Sequence, residues 1–503
     1  MKKKALLNSL SSVILQIVTF VCGLIIPRLI LETFGSNVNG SIQSITQFLN
    51  YIVLLEAGVG GVVRAALYKP LAERNYTVLS GIVNATESFF KKICYIFIGY
   101  MLILAAVYSY MVSDSFSYIY TFSLVIIIGL GTVAQYYFGI TAQIFLTADQ
   151  RGYVTVLLQA ASIIVNSIFI FVLIKLGMGI HTVKLFSAVI FVIRPMILQY
   201  YMRTKYAGLD KNIPANNDLI KQRWDGFGQH IAFFVHNNTD IVILTCFQNL
   251  KVVSVYSVYY MIVSGLQNLI SCISAAFTPA IGQLIATENK NGAMKAVNMY
   301  EFLCFLLCNI LMTVCGIMIV PFVSIYTRGI TDINYIDYRF AVLIVLASAA
   351  LLLRNVYQSI ILSAGHYKQT NVSAYTETIL NIGISLCLVK KFGLSGVALG
   401  TFVSLVYRLV YYVIYLSKNI LCRNVGLFIK RLCVNAAALA INLIIIIPNI
   451  GRYRIENYFV WAVCAAAVTV IVSAIVVIVN LVFYKNDFWE LWYKLKGMRR
   501  KSA

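Results

Sequence analysis

The sequence predicts an all-α polytopic membrane protein with 14 transmembrane helices. Hydrophobic residues make up 60% of the 503-residue chain and charged residues only 12%. The mean hydropathy is +0.83. A soluble domain is about half apolar and a quarter charged. This composition therefore favours a chain that is embedded in a bilayer along most of its length.

Long apolar runs are the second observation behind this fold class. A helix needs about 20 mostly apolar residues to cross a bilayer, and such runs recur along the whole chain. They predict membrane helices at approximately 8–32, 42–67, 86–112, 118–146, 153–175, 180–203, 224–247, 252–285, 295–326, 338–364, 370–390, 395–417, 427–448 and 458–484.

The distribution of charge predicts the orientation. Lys and Arg exceed Asp and Glu by 22, which in a soluble protein would suggest nucleic acid as a partner. Here the segments on the side of the two termini carry about 26 Lys and Arg residues, whereas the opposite loops carry about nine. We therefore expect both termini in the cytoplasm and no nucleic-acid partner. Lys2–Lys4 and the long apolar run that follows them predict an uncleaved first helix.

An internal repeat is the third observation. An offset of about 213 residues brings Phe34 onto Phe247 and Ser41 onto Ser254. Repeats of six helices have the same orientation in the membrane, so a substrate site is expected between them near the midplane. The predicted domains are an N-terminal six-helix lobe at 1–203, a cytoplasmic linker at 204–223, a C-terminal six-helix lobe at 224–418, and helices 13 and 14 with a basic tail at 419–503.

The sequence contains no pattern that is typical of an enzyme or a metal site. It has no GxxxxGK[ST] phosphate-binding loop. Its eleven cysteines are scattered, mostly within apolar runs, and form no CxxC pair or Cys/His cluster. We therefore expect no enzymatic activity, no cofactor and no bound metal.

Three stretches resemble a known superfamily. They are PRLILETFGSNVNGSIQSITQFL in helices one and two, NNTDIVILTCFQNLKVVSVYSVYYMI in helices seven and eight, and LRNVYQSIILSAGHYKQT before helix eleven. Together with the 6+6+2 layout, they resemble the multidrug/oligosaccharidyl-lipid/polysaccharide exporter superfamily. Within it, the chain is most similar to the polysaccharide-synthesis branch, the flippases of O-antigen or capsular repeat units.

The resemblance implies a V-shaped, two-lobed bundle that works by alternating access. It implies a bacterial cytoplasmic membrane protein that moves an undecaprenyl-pyrophosphate-linked oligosaccharide from the inner to the outer leaflet. Membrane lipids, a polysaccharide polymerase and glycosyltransferases are the other partners it implies. This branch has no catalytic signature to transfer to the present chain.

Five arginines inside apolar runs are candidates for binding the pyrophosphate. Arginine suits phosphate because its planar fork bonds two oxygens and stays charged. The candidates are Arg28, Arg64, Arg194, Arg354 and Arg408. Arg28 has an ion pair with Glu32 as its alternative role. Arg64 has the alternative of extending to the interface.

Three acidic residues inside apolar runs are candidates for coupling transport to an H⁺ or Na⁺ gradient. They are Glu56, Asp240 and Glu377. A carboxylate within a membrane is costly and therefore usually functional or paired. The alternative is a structural pair with a nearby Arg or Asn.

Other functions remain open from the sequence. A cation-coupled multidrug exporter of the same superfamily would need acids rather than arginines to dominate its cleft. A lipid II flippase would suit an arginine-rich cleft equally well. A membrane glycosyltransferase or polymerase, from a different class, would need a constellation of carboxylates, histidines or metal ligands on polar loops. The predicted outer loops are short, and Asp332 and Asp337 form no such constellation.

Overall fold

The computed structural model describes residues 2–56, 59–215, 227–287, 290–450 and 455–491. Within these ranges the chain is helical and contains no strand. The predicted linker residues 216–223 and most of the predicted basic tail lie outside the described residues.

The helices are α1 (Lys2–Asn50), α2 (Val53–Glu56), α3 (Val59–Glu73), α4 (Tyr76–Met111), α5 (Tyr118–Ala134), a π turn (Gln135–Gly139), α6 (Ile140–Ala148), α7 (Gly152–Lys175), α8 (Ile180–Lys205), α9 (Phe227–Phe247), α10 (Leu250–Ala286), α11 (Lys290–Tyr326), α12 (Tyr338–Ser363), a 3₁₀ turn (Lys368–Thr370), α13 (Asn371–Asn419), α14 (Gly426–Ile450) and α15 (Tyr458–Phe483).

Eleven helical stretches among the described residues are long and apolar enough to cross a membrane. The protein is therefore an all-α, multi-pass membrane protein, as predicted. Two of these stretches, in α1 and α13, contain a break at a glycine. Gly35 (φ 80°) and Gly393 (φ 53°) leave the helical conformation there. The predicted total of 14 membrane helices stays a prediction.

The break in α13 is a helical hairpin. Asn381 Nδ2 donates to Thr401 Oγ1 at 3.0 Å, and Ser385 Oγ donates to the Val397 carbonyl at 3.4 Å. The residue numbers rise on one limb as they fall on the other, so the two limbs run antiparallel. Gly400 allows this close packing, because a Cβ there would lie 2.3 Å from Ser385 Oγ.

The second predicted helix is interrupted near its middle. Tyr51 N–H donates to the Phe48 carbonyl and Leu54 N–H to the Tyr51 carbonyl, three residues back in each case. Such bonds tighten the end of α1 and begin α2. The Tyr100 hydroxyl donates to the Phe48 carbonyl at 2.7 Å, so this carbonyl keeps an additional partner at the interruption.

The chain forms two compact units, residues Met1–Ser254 and Val255–Ala503. The apolar core of unit 1 is built mainly from α3, α4, α5 and α6. A core of unit 2 joins α11 to α14 and α15. The predicted domain boundaries at residues 203, 223 and 418 stay predictions.

Candidate functional site

Three of the predicted site residues, Arg354, Glu377 and Arg408, meet in unit 2. Tyr412 joins them, and we call these four residues the Glu377 cluster. Arg354 Nη1 donates to Glu377 Oε1 at 2.6 Å. Arg408 Nη1 donates to the other oxygen, Oε2. Arg408 also donates to the Tyr412 hydroxyl, from Nε at 3.0 Å and from Nη2 at 2.7 Å.

The helical hairpin explains why the Glu377 cluster forms. Glu377 lies on the first limb of α13 and Arg408 on the second, and Arg354 reaches them from α12. Arg354, Glu377 and Arg408 are only 2%, 2% and 1% exposed. Since water is excluded, each guanidinium depends on the carboxylate for its compensation.

The Glu377 cluster is therefore a closed, buried network of ion pairs. Each carboxylate oxygen of Glu377 accepts from a guanidinium. A cation could bind at Glu377 only after an arginine had left it. A phosphate could bind Arg354 or Arg408 only after the surrounding helices had opened. The predicted roles of these residues in substrate binding and ion coupling stay predictions.

Several polar side chains of unit 1 meet at the π turn. The Ile140 N–H donates to the Gln135 carbonyl five residues back, which defines this turn. Arg194 Nη2 in α8 donates to Gln135 Oε1 at 2.8 Å. Gln135 Nε2 in turn donates to Gln143 Oε1 in α6 at 3.1 Å. We call these three side chains the Gln135 chain. π turns recur at functional sites.

Tyr136, the second residue of the π turn, forms a hydrogen bond with the predicted coupling acid Glu56. The Tyr136 hydroxyl donates to Glu56 Oε1. Tyr136 is buried, and Glu56 is partly exposed at the end of α2. The π turn therefore joins the interrupted second helix to α5 and α6 through one phenol–carboxylate hydrogen bond.

The remaining predicted residues have separate surroundings. Arg28 forms an ion pair with Glu32 at 3.6 Å, on the side of the helix where the spacing predicts it. Arg64 is exposed, and its Nε donates to the Gly60 carbonyl at 3.1 Å. Asp240 in α9 is 5% exposed. The binding and coupling roles of these residues stay predictions.

A second buried ion cluster in unit 2 was missed by the sequence analysis. Arg423 and Arg431 both donate to Glu301, from Arg423 Nη1 at 2.9 Å and from Arg431 Nη1 at 2.6 Å. Arg431 Nη2 also reaches Asp487 Oδ2 at 3.3 Å. We call this group the Glu301 clamp. It fastens α14 and the residues after α15 to α11.

The sequence contained only half of the signal for the Glu301 clamp. Glu301 lies within an apolar run, but near a helix start. Arg423 and Arg431 read as ordinary basic residues of a loop and helix end. Glu301 is 0% exposed and Arg431 1%, and their proximity depends on the packing of α14 against α11.

A third ionic group lies at the end of unit 1 where α1 begins. Asp149 Oδ2 accepts from Lys4 Nζ at 3.3 Å, Arg151 Nε at 2.8 Å and the Tyr206 hydroxyl at 2.5 Å. Burial, and then the adjacent Asp149 carboxylate, raise the pKa of the Tyr206 hydroxyl. This group ties the start of α1 to the α6–α7 turn and to the end of α8.

Unit 2 also contains an apolar cavity of about 910 Å³ between α11, α12 and α14. Three of its polar side chains bind one another: Asn309 Nδ2 donates to Asn435 Oδ1 at 3.0 Å, and Thr313 Oγ1 donates to Asn309 Oδ1 at 3.1 Å. The cavity surface is consequently suited to hydrocarbon rather than to sugar.

The described part of the chain has no group of three or more His, Cys, Asp or Glu residues placed to hold a metal ion. The Gln135 chain and the Glu377 cluster are the groups in which predicted arginines meet other buried or partly buried polar side chains of their unit.

Solved structures share this fold over nearly the whole chain. The lipid II flippase MurJ in an inward closed conformation has a TM-score of 0.70 and 13% identity, covering 96% of this chain and 99% of its own. The chain therefore has the same fold as this flippase. Two multidrug transporters of the MATE family share the fold as well.

One is an inward-facing MATE transporter of the MOP superfamily, with a TM-score of 0.61, 14% identity and coverage of 80% of this chain and 95% of its own. The other is the MATE multidrug transporter DinF-BH, with a TM-score of 0.60, 16% identity and coverage of 83% of this chain and 97% of its own. No protein-family profile matches the chain. No curated protein sequence matches it either.

Proposed function

We propose that this protein is a flippase that moves an undecaprenyl-pyrophosphate-linked oligosaccharide from the inner to the outer leaflet of a bacterial cytoplasmic membrane. Its product would serve surface polysaccharide assembly, such as O-antigen or capsule. Both termini would lie in the cytoplasm. A polysaccharide polymerase and glycosyltransferases would be its partners.

One observation carries this proposal: Arg194 lies inside a membrane-spanning helix and binds a neutral amide rather than a carboxylate. Its position is 14 residues from the start of α8, about 21 Å along the helix axis. An ionised side chain at such a depth is costly unless it faces a wet cavity or a functional partner. A cation with a neutral protein partner is suited to an anionic substrate.

The charge of the substrate head group requires such a cation. A pyrophosphate joined to sugars cannot cross hydrocarbon without polar partners. Arginine binds phosphate oxygens through charge-assisted hydrogen bonds. The apolar cavity of unit 2 is suited to a hydrocarbon chain. Alternating access would carry the head group across, with an H⁺ or Na⁺ gradient as the energy source.

The second candidate is a lipid II flippase. The likeness to MurJ supports this candidate, and lipid II also has a pyrophosphate head group. A cation-coupled multidrug exporter is the third candidate and has MATE transporters of the same fold in its favour. Its cationic substrates would be repelled by Arg194 unless an acid accompanied them.

The experiment measures the appearance of undecaprenyl-pyrophosphate-linked repeat units in the outer leaflet, in cells with and without the protein. Strains lacking other flippases of the same substrate provide the background. We expect these units to accumulate on the inner side when the protein is absent. Normal outer-leaflet appearance in its absence would contradict the proposal and favour drug export. Accumulation of lipid II alone would identify the second candidate.

A further inference from the structure

The Gln135 chain owes its alignment to the π turn. In a regular α-helix each residue turns by about 100°, so residues eight apart differ by about 80° around the axis. A π turn takes up one extra residue. Gln135 and Gln143 then lie about as close around the axis as residues seven apart, within roughly 20°. This register allows their amides to meet at 3.1 Å.

Gly139 provides the space for this arrangement. It lies between the two glutamines along the chain, and a Cβ there would come within 2.8 Å of Gln135 Oε1 and 2.7 Å of Pro195 Cβ. The glycine thus lets the Gln135 side chain lie along the turn. It also lets α8 approach at the residue next to Arg194.

The direction of the hydrogen bonds fixes which atoms face outward. Arg194 can only donate, so it fixes Gln135 Oε1 as its acceptor. Gln135 Nε2 must then face Gln143 and donate to its Oε1. Gln143 is exposed. Since its Oε1 faces Gln135, its Nε2 faces away from Gln135. The outward surface therefore presents the N–H groups of Gln143 and of the partly exposed Arg194.

Within the described part of the chain, Arg194 forms no ion pair with a carboxylate. Among the described residues no Asp or Glu oxygen lies within ion-pair distance of its guanidinium. The coupling candidate Glu56 is bound by Tyr136, which is one residue further along the turn and therefore about a quarter-turn around the axis. The donor surface keeps its positive charge as a result.

We propose that Arg194 and Gln143, positioned by Gln135 across Gly139, form a binding site for a phosphate-type oxyanion. The site offers several N–H donors, one positive charge and, among the residues that the structure describes, no competing carboxylate, which is the chemistry that phosphate oxygens require. If the proposed function holds, on which this assignment to a substrate rests, the ligand is the pyrophosphate of the lipid-linked sugar. The same chemistry would also bind the phosphate of an ordinary phospholipid.

The test measures dissociation constants for the full-length protein in nanodiscs. The probes are inorganic pyrophosphate, undecaprenyl pyrophosphate and phosphatidylglycerol. We expect Arg194→Gln and Gln143→Glu each to weaken pyrophosphate binding at least about tenfold, because each change removes or opposes a charge-assisted hydrogen bond. Gln143→Glu also introduces a negative charge at an exposed position, where folding should be preserved.

Gln283→Glu is the matched control. Like Gln143, Gln283 is an exposed glutamine in a helix. The backbone carbonyl of each accepts from a threonine hydroxyl four residues further on. We expect this change to leave pyrophosphate binding unchanged. Equal binding by all variants would overturn the proposal, and so would an equal loss in Gln283→Glu and Gln143→Glu.

The lipid probes distinguish the source of the oxyanion. A preference of tenfold or more for undecaprenyl pyrophosphate over phosphatidylglycerol, lost in Arg194→Gln, assigns the site to the substrate. Equal affinity for the two lipids supports the oxyanion site but assigns it to phospholipid.

If cells show normal flipping by variants that also bind pyrophosphate normally, the site is wrong and the proposed function stands. If wild-type protein binds pyrophosphate through Arg194 but flips nothing, the function is wrong and the site stands.

Discussion

The Glu377 cluster and the Gln135 chain use the same residue type in opposite ways. In unit 2, Arg354 and Arg408 are sealed from solvent and bound to one carboxylate. In unit 1, Arg194 is partly exposed and bound to an amide. In the first arrangement a carboxylate of the protein neutralises the positive charge, whereas in the second the described partner of the arginine is a neutral amide. An arginine within a membrane helix is therefore not by itself evidence of substrate binding.

The largest expected effect separates the two arrangements by stability. Glu377→Ala leaves two buried guanidiniums without their carboxylate, so we expect it to lower the free energy of unfolding by about 3–5 kcal/mol. Unfolding in detergent, followed by circular dichroism, measures the change. Glu32→Ala is the control, because Glu32 is 64% exposed in its pair with Arg28 and should cost no more than about 0.5 kcal/mol. Equal losses would show that the cluster does not stabilise the fold.

An intermediate effect is expected at the hairpin that brings Glu377 and Arg408 together. Gly400→Ala places a Cβ 2.3 Å from Ser385 Oγ, so we expect a loss of about 1–3 kcal/mol from overpacking. Gly99→Ala is the matched change in a helix with no atom within 4 Å of the new Cβ. It should instead stabilise by about 0.5–1 kcal/mol. Melting temperatures that move in the same direction for both variants would contradict this account.

The smallest effect on stability is expected at the Gln135 chain. Arg194→Gln removes a partly exposed charge with a neutral partner, and we expect the free energy of unfolding to change by less than about 1 kcal/mol. Transport should nevertheless fall sharply, since the variant loses the cation. Parallel measurements of melting and of outer-leaflet repeat units test this separation. A melting loss as large as that of Glu377→Ala would make Arg194 a structural residue as well.

The sequence was sufficient to predict the fold class, because long apolar runs with few charges are explained by helices that cross a bilayer. It also indicated the break near Gly393, between two apolar runs of membrane length. It could not show that Arg354, Glu377 and Arg408 meet, since they lie on three helical segments whose packing brings them together. Each residue was a candidate only by itself.

The π turn was equally hidden from the sequence. Gln135 and Gln143 are eight residues apart, and a regular helix would place them on different faces. Only the extra residue of the turn makes them neighbours, and no composition signal marks that residue. The Arg28–Glu32 pair, in contrast, was visible as an alternative because a four-residue spacing needs no tertiary information.

The Glu301 clamp has a consequence for the synthesis of the chain. Glu301 and Arg423 are separated by 122 residues. A ribosome adds roughly 5–20 residues per second, so about 6–24 s pass between the synthesis of the two partners. During this interval α11 carries a carboxylate whose guanidinium partners do not yet exist. The C-terminal helices are therefore the last part of unit 2 to be made and are also required to complete it.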